Sequence, residues 1–118
     1  MTEGQVMLAP LPQADGRKKR RPVLLLRQMP PCGDLLVCGI STQLHMEVAG
    51  FDELLKKGDP DFSASGVLTD SLVRLGFLAL LPRTAVEGAI GTIAPTRHER
   101  LLNNLARYLL AGSQGTAD

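Results

Sequence analysis

Lys18-Lys19-Arg20-Arg21-Pro22-Val23-Leu24-Leu25-Leu26 runs a cluster of cations straight into a proline and then an unbroken apolar stretch. Apolar residues in succession, without alternation, predict a strand buried on both faces, because a strand with one wet face would carry a polar residue at every second position. A second such stretch, Leu35-Leu36-Val37-Cys38-Gly39-Ile40, follows the breaker Met29-Pro30-Pro31-Cys32-Gly33-Asp34, so the two are expected to pair as an interior hairpin. Pro22 gives the cationic cluster its meaning. It holds its own φ near −65° and biases Arg21 towards extended geometry, which places that guanidinium at a strand edge. A guanidinium so held grips a phosphate through two hydrogen bonds, which one on a loose tail does not do reproducibly. The plain alternative for Lys18 to Arg21 is a solvated loop.

Working outward, Gln5-Val6-Met7-Leu8-Ala9 reads as a short strand ended by Pro10 and Pro12, and Gln13-Ala14-Asp15-Gly16 as the turn before the cations. Phe51 to Gly58 carries Asp52 and Glu53 early and Lys56 and Lys57 late, the charge order of a short helix stopped by glycine. Asp59-Pro60-Asp61 is a turn, and Leu72 to Leu81 and Ala89 to Ile93 are strands. Leu101, Leu102, Leu105, Tyr108 and Leu109 then recur at helical spacing, with Pro95 in a first turn, Thr96 and Glu99 as a capping box, and Gly112 as the stop. Short strands followed by one amphipathic helix predict a mainly β chain with some α: a small, strongly bent barrel or half-barrel with the helix laid against it.

At 118 residues the chain is expected to form one domain over 1–112, with 113–118 a tail. Net charge is only +1, yet five of thirteen basic residues lie between Arg17 and Arg21, so the cationic field is local. The amino terminus lacks the layout of a secretory signal and no apolar run reaches spanning length, so no membrane association is expected and the expected address is cytoplasmic. Cys32 and Cys38 have no thiol or imidazole neighbours at ligand spacing; free thiols are expected, with neither a metal nor a cofactor.

Gly4-Gln5-Val6, Arg21-Pro22-Val23-Leu24, Ile40-Ser41-Thr42-Gln43, Gly66 to Asp70-Ser71, and Gly91 before the last helix, in that order, resemble the PemK/MazF family of toxin endoribonucleases. The resemblance spans Gly4 to about Leu110. It implies an SH3-like barrel, a homodimer, cleavage of single-stranded RNA without metal, and neutralisation by a cognate antitoxin. It also implies roles: Arg21 on the scissile phosphate, Ser41 and Arg74 in cleavage, and Lys19, Arg20, Thr42, Gln43 and Ser71 in holding RNA. Bland alternatives stand beside these, with Arg74 a solvent-facing strand residue, Ser41 and Thr42 a polar strand end, and Ser71 a turn hydrogen-bonder.

Two arginines suit stabilisation of charge on a phosphate, whereas a pKa beyond about 12 makes arginine a poor proton donor. Asp15, Asp70 and His45 are the candidate bases. His45 and His98 read most simply as surface residues, and Phe51 and Phe62 as loop residues flanking the groove, where either would offer a base a stacking platform. The chain departs from the family pattern at Gly76, where some members carry an aspartate, and in the apolar Phe77-Leu78-Ala79-Leu80. These departures motivate second readings, a protein-binding or RNA-binding module without cleavage.

Overall fold

The computed structural model describes residues 1–12 and 14–114. Among these residues six strands form one antiparallel sheet: β1 (Gln5–Pro12), β2 (Lys18–Met29), β3 (Asp34–Ser41), β4 (Glu53–Leu55), β5 (Ser71–Leu81) and β6 (Gly88–Thr92), in the order β4-β5-β3-β2-β1-β6. A four-residue helix, α1 (Phe62–Ser65), precedes β5, and the long α2 (Pro95–Gln114) closes the chain. The sheet curls into a half-barrel, as the strand and helix pattern predicts.

The apolar run of β2 is buried on both faces as expected. Leu24 and Leu26 join Val6, Cys38, Val73 and Leu75 in a cluster capped by Leu101 and Leu105 of α2. Val23 and Leu25 point the other way, into a second cluster with Met7, Leu11, Leu35 and Val37. Burial in the first cluster, aided by the negative charge of Asp52, pushes the Cys38 thiol far above its ordinary pKa, so it behaves as a small apolar side chain.

Several local expectations are corrected. β1 does not stop at Ala9 but runs through Pro10 to end at Pro12. β6 accompanies it only as far as Leu8, whose carbonyl accepts the Glu87 amide at 2.9 Å, so Pro10 and Pro12 lie where no β6 ladder asks for their missing N–H. Likewise Lys18 to Arg21 is no loop: it pairs with Pro12, Leu11, Pro10 and Ala9 and forms the first part of β2. Residues 51–58 form no helix. The Asp52 carboxylate is buried and accepts the amides of Val48 and Leu75, each at 2.9 Å, while residues 53–55 pair with β5. The two carboxylates taken as a helix signal are tertiary hydrogen-bonding groups.

Thr96 is no cap, because α2 begins at Pro95 and the His98 amide already bonds the Ala94 carbonyl at 3.0 Å. Gly112 does not end α2, which runs to Gln114; the expected tail beyond it lies outside the described residues. His98 is half-buried, with Nε2 2.8 Å from the Leu26 carbonyl oxygen. Phe51 and Phe62 pack against the first core cluster.

Two glycines let α1 lie on the last strand. Gly66 ends α1 at φ +79, and a β-carbon there would fall 2.2 Å from the Ile90 carbonyl oxygen; one at Gly91 would fall 2.2 Å from that of Ala64. No helix among the described residues is long and apolar enough to cross a membrane.

Candidate functional site

The β2-β3 ladder ends at the pair Val23 and Gly39, next to Pro22, which has no N–H to carry the ladder further. Beyond that rung the two strands keep other partners: Arg21 pairs with Ala9 of β1, and Ser41 with Leu72 of β5. The gap between them is a pocket of about 170 Å³ lined by Leu11, Arg21, Gly39, Ile40, Ser41, Gln43, Arg74 and Phe77. All three residues expected to act in cleavage, Arg21, Ser41 and Arg74, therefore line one cavity.

A bulge on β5 completes it. Cys38 pairs with Leu78, yet the next residue, Gly39, pairs with Arg74, so β5 spends extra residues in between. Side chains of β5 change faces across the bulge. Val73 and Leu75 enter the first cluster, whereas Phe77, Ala79 and Leu81 pack on the second. Arg74 and Phe77, which regular alternation over three residues would send to opposite faces, consequently line the same pocket. Gly76 lies on the other side of the sheet, in a groove with Val48, Phe51 and Tyr108, and does not line the arginine pocket.

Within the pocket, the Gln43 amide donates to Ser41 Oγ at 3.0 Å, a turn that orients the hydroxyl as β3 ends. Thr42 and Ser71 line a separate, larger depression of about 500 Å³ with Leu8, Pro22, Val67, Leu68 and Ile90, which adjoins the first through Ile40 and Ser41. Ser71 is buried and its hydroxyl donates to the Thr69 carbonyl at 2.8 Å, the turn role weighed for it. Lys19 and Arg20 line neither cavity; both are exposed on β2, and Arg20 pairs with Glu87 at 3.0 Å.

None of the candidate bases lines the arginine pocket. Asp15 accepts the Arg17 amide at 2.9 Å, Asp70 accepts that of Lys57 at 2.8 Å, and His45 is exposed on the turn Leu44–Met46. Among the described residues, the lining holds two guanidiniums, one hydroxyl and one carboxamide, and neither a carboxylate nor an imidazole. Such a set binds a phosphate diester and stabilises charge added to it; it offers a proton acceptor only in Ser41, Gln43, the backbone or water.

Sequence reasoning missed Phe77, on the β5 bulge, and Gly39, the β3 residue beside it, because the bulge leaves no periodic signal. It also missed the interaction that fixes α2 to the sheet. Arg97, buried at 6% exposure, donates to both oxygens of Asp61 at 2.8 and 3.0 Å, to Glu53 at 3.0 Å, to Asp59 at 3.1 Å and to the Leu54 carbonyl at 2.8 Å. One turn on, Arg100 holds Glu53 at 2.8 Å. Burial acts to raise the pKa of Asp61, but hydrogen bonds from Arg97 and the Ala94 amide, with the guanidinium's charge, hold it below the usual carboxylate value. The acidic turn and the two arginines three residues apart were the available signal.

The fold has solved counterparts. Mycobacterium tuberculosis toxin MazF-mt6 superposes with a TM-score of 0.66 over 89% of this chain and 95% of that one, at 18% sequence identity, a likeness of fold. A search of the curated proteins found no match. Residues 2–109 match the sequence profile of the PemK-like, MazF-like toxins of type II toxin-antitoxin systems, and a match over the whole half-barrel and most of α2 places this chain in that family.

Proposed function

We propose that the protein is an endoribonuclease that cleaves single-stranded RNA at the Arg21 pocket without a metal ion, and that it is held in check by an antitoxin in the cytoplasm. The observation that carries this reading is the convergence of Arg21, Ser41, Gln43 and Arg74 on one cavity where two strands part. In the proposed reaction the ribose 2′-oxygen attacks the adjacent phosphorus and the 5′-oxygen leaves, giving a 2′,3′-cyclic phosphate and a 5′-hydroxyl end. Arg21 and Arg74 neutralise the charge that builds on the non-bridging oxygens, and Ser41 positions the phosphate. Water takes the 2′-hydroxyl proton and returns one to the 5′-oxygen. The donor set supports metal-free chemistry, since hard divalent cations are held by carboxylates and carbonyls rather than by guanidiniums.

Incubating the purified protein with single-stranded RNA in excess chelator is expected to yield cyclic-phosphate ends. Intact RNA, or activity restored only by added metal, overturns the reading. The absence of a side-chain base from the lining favours one alternative, a binding module that has lost cleavage; tight antitoxin binding with no RNA cut under any condition is its signature.

The juxtaposed cavities support the proposed antitoxin chemistry. A flexible segment with a carboxylate for Arg21 and an apolar side chain for the Leu68 and Ile90 depression fits both at once and competes with RNA for the same surface. Simultaneous binding of RNA and an antitoxin tail in a fluorescence titration rules that out. A homodimer is proposed on the strength of Leu78, Leu80, Tyr108, Leu109 and Leu110, all exposed; sedimentation at the monomer mass at micromolar concentration would remove it.

A further inference from the structure

We infer that Phe77 is the base-stacking platform of the pocket, and that the bare α-carbon of Gly39 sets its position. This deepens the proposed endonuclease reading and rests on it. The chain has three phenylalanines, one tyrosine and no tryptophan, so few rings are available for stacking. Phe51 is occupied by Tyr108 on the far side of the sheet, with ring centroids 5.0 Å apart, and Phe62 packs on the first core cluster. Phe77 alone lines the cavity that holds Arg21 and Arg74.

Its ring is built in from behind. A β-carbon at position 39 would come within 3.0 Å of Phe77 Cδ2 and 3.2 Å of Cγ, so the ring lies directly on the β3 backbone, while Phe77 also packs on the cluster of Met7, Leu11 and Val37. A half-buried ring seated on a backbone has little rotameric freedom left to lose when a ligand arrives. The pocket thus combines apolar lining from Phe77, Leu11 and Ile40 with polar lining from Arg21, Arg74, Ser41 and Gln43. A nucleotide has the same division, a flat π-surface attached to an anion. Stacking the base that flanks the scissile phosphate on Phe77 fixes the phosphate's distance from the arginines, and it tolerates any base because every base has a π-face.

The test uses an RNA whose cut site has been mapped with the wild-type protein, and a matched RNA abasic at the flanking nucleotide. Phe77→Leu is expected to weaken binding and raise KM by about 10- to 100-fold, the range for loss of one aromatic-base stack, and Phe77→Tyr to restore near-normal values. The abasic RNA is expected to lose a similar factor with the wild type and little more with Phe77→Leu, since both remove the same contact. Gly39→Ala, which displaces the ring without removing it, is expected to fall between. Cleavage that depends on Arg21 but has the same KM in Phe77→Leu and wild type overturns the stacking alone, as do losses that multiply for the abasic RNA and Phe77→Leu together. Absence of Arg21-dependent cleavage overturns the underlying reading with it. Melting temperatures of each variant separate loss of contact from loss of fold.

Discussion

Arg21→Ala is expected to slow RNA cleavage by about 100- to 1,000-fold, the usual cost of removing one donor that stabilises a developing oxyanion. Pro22 and the strand pairing with Ala9 fix the Arg21 backbone beside the cavity it lines, and its cationic neighbours on β2 do not replace it. Arg20 is tied to Glu87 and Lys19 does not line the pocket. Arg21→Lys keeps the charge but loses the planar fork, and is expected to recover only a small part of the rate. Arg74→Ala is expected to cost a similar factor. The double variant is expected to lose less than the product of the two, because both side chains act on one phosphate. With no carboxylate or imidazole in the lining, kcat/KM is expected to climb steadily from pH 5 to 9 instead of passing through a maximum. Single-turnover assays across that range, with a melting curve for each variant, check both points. An Arg21→Ala protein that cuts at the wild-type rate removes the proposed site altogether, and a bell-shaped profile identifies a titrating base from outside the lining residues.

How far the chain could be read beforehand depends on whether a feature is written in consecutive residues. Val23 to Leu26 announces its two-sided burial because each face needs its own apolar residues, and α2 announces itself through leucines at helical spacing. Arg21 and Ser41 could be put in one site only through the resemblance of Arg21-Pro22-Val23-Leu24 and Ile40-Ser41-Thr42-Gln43 to the family's motifs, because no local pattern says that the two strands part beside each other. The β5 bulge was not legible. Leu72 to Leu81 is apolar on both sides of it, so no alternation changes phase to reveal that Arg74 and Phe77 share a face. Residues 51–58 misled for the opposite reason. Their charges follow the helix dipole rule, but Asp52 is there to accept the amides of nearby Val48 and distant Leu75, and Glu53 to meet two arginines of α2. Local charge order therefore carried the wrong message wherever the charges served tertiary partners.

Asp61→Asn is expected to destabilise the fold by about 3 kcal/mol, near the low end for breaking a buried ion pair, because Glu53 and Asp59 still face Arg97 after the change. For a chain of this size that corresponds to a melting temperature lower by roughly 10 to 15 °C. The carboxylate also bonds the Ala94 amide at 2.9 Å, so its loss loosens the turn into α2, the helix that covers the first core cluster. Arg97→Lys is expected to be nearly as damaging, since an ammonium cannot reproduce the paired bonds to both Asp61 oxygens. The pH dependence follows from the lowered pKa of Asp61. A carboxylate whose folded pKa lies below its unfolded value, about 3.9, contributes stability that is fully present above that value and is lost as pH falls through the folded pKa. Wild-type stability is thus expected to fall steeply below about pH 4, with a smaller share from Glu3, whose pKa is lowered chiefly by the Gln28 amide. The Asp61→Asn protein is expected to start lower and to fall less over the same window. Urea unfolding of both proteins from pH 2.5 to 7 measures the difference directly; parallel curves would mean that Asp61 has the same proton affinity folded and unfolded, and that its pairing with Arg97 adds nothing to stability.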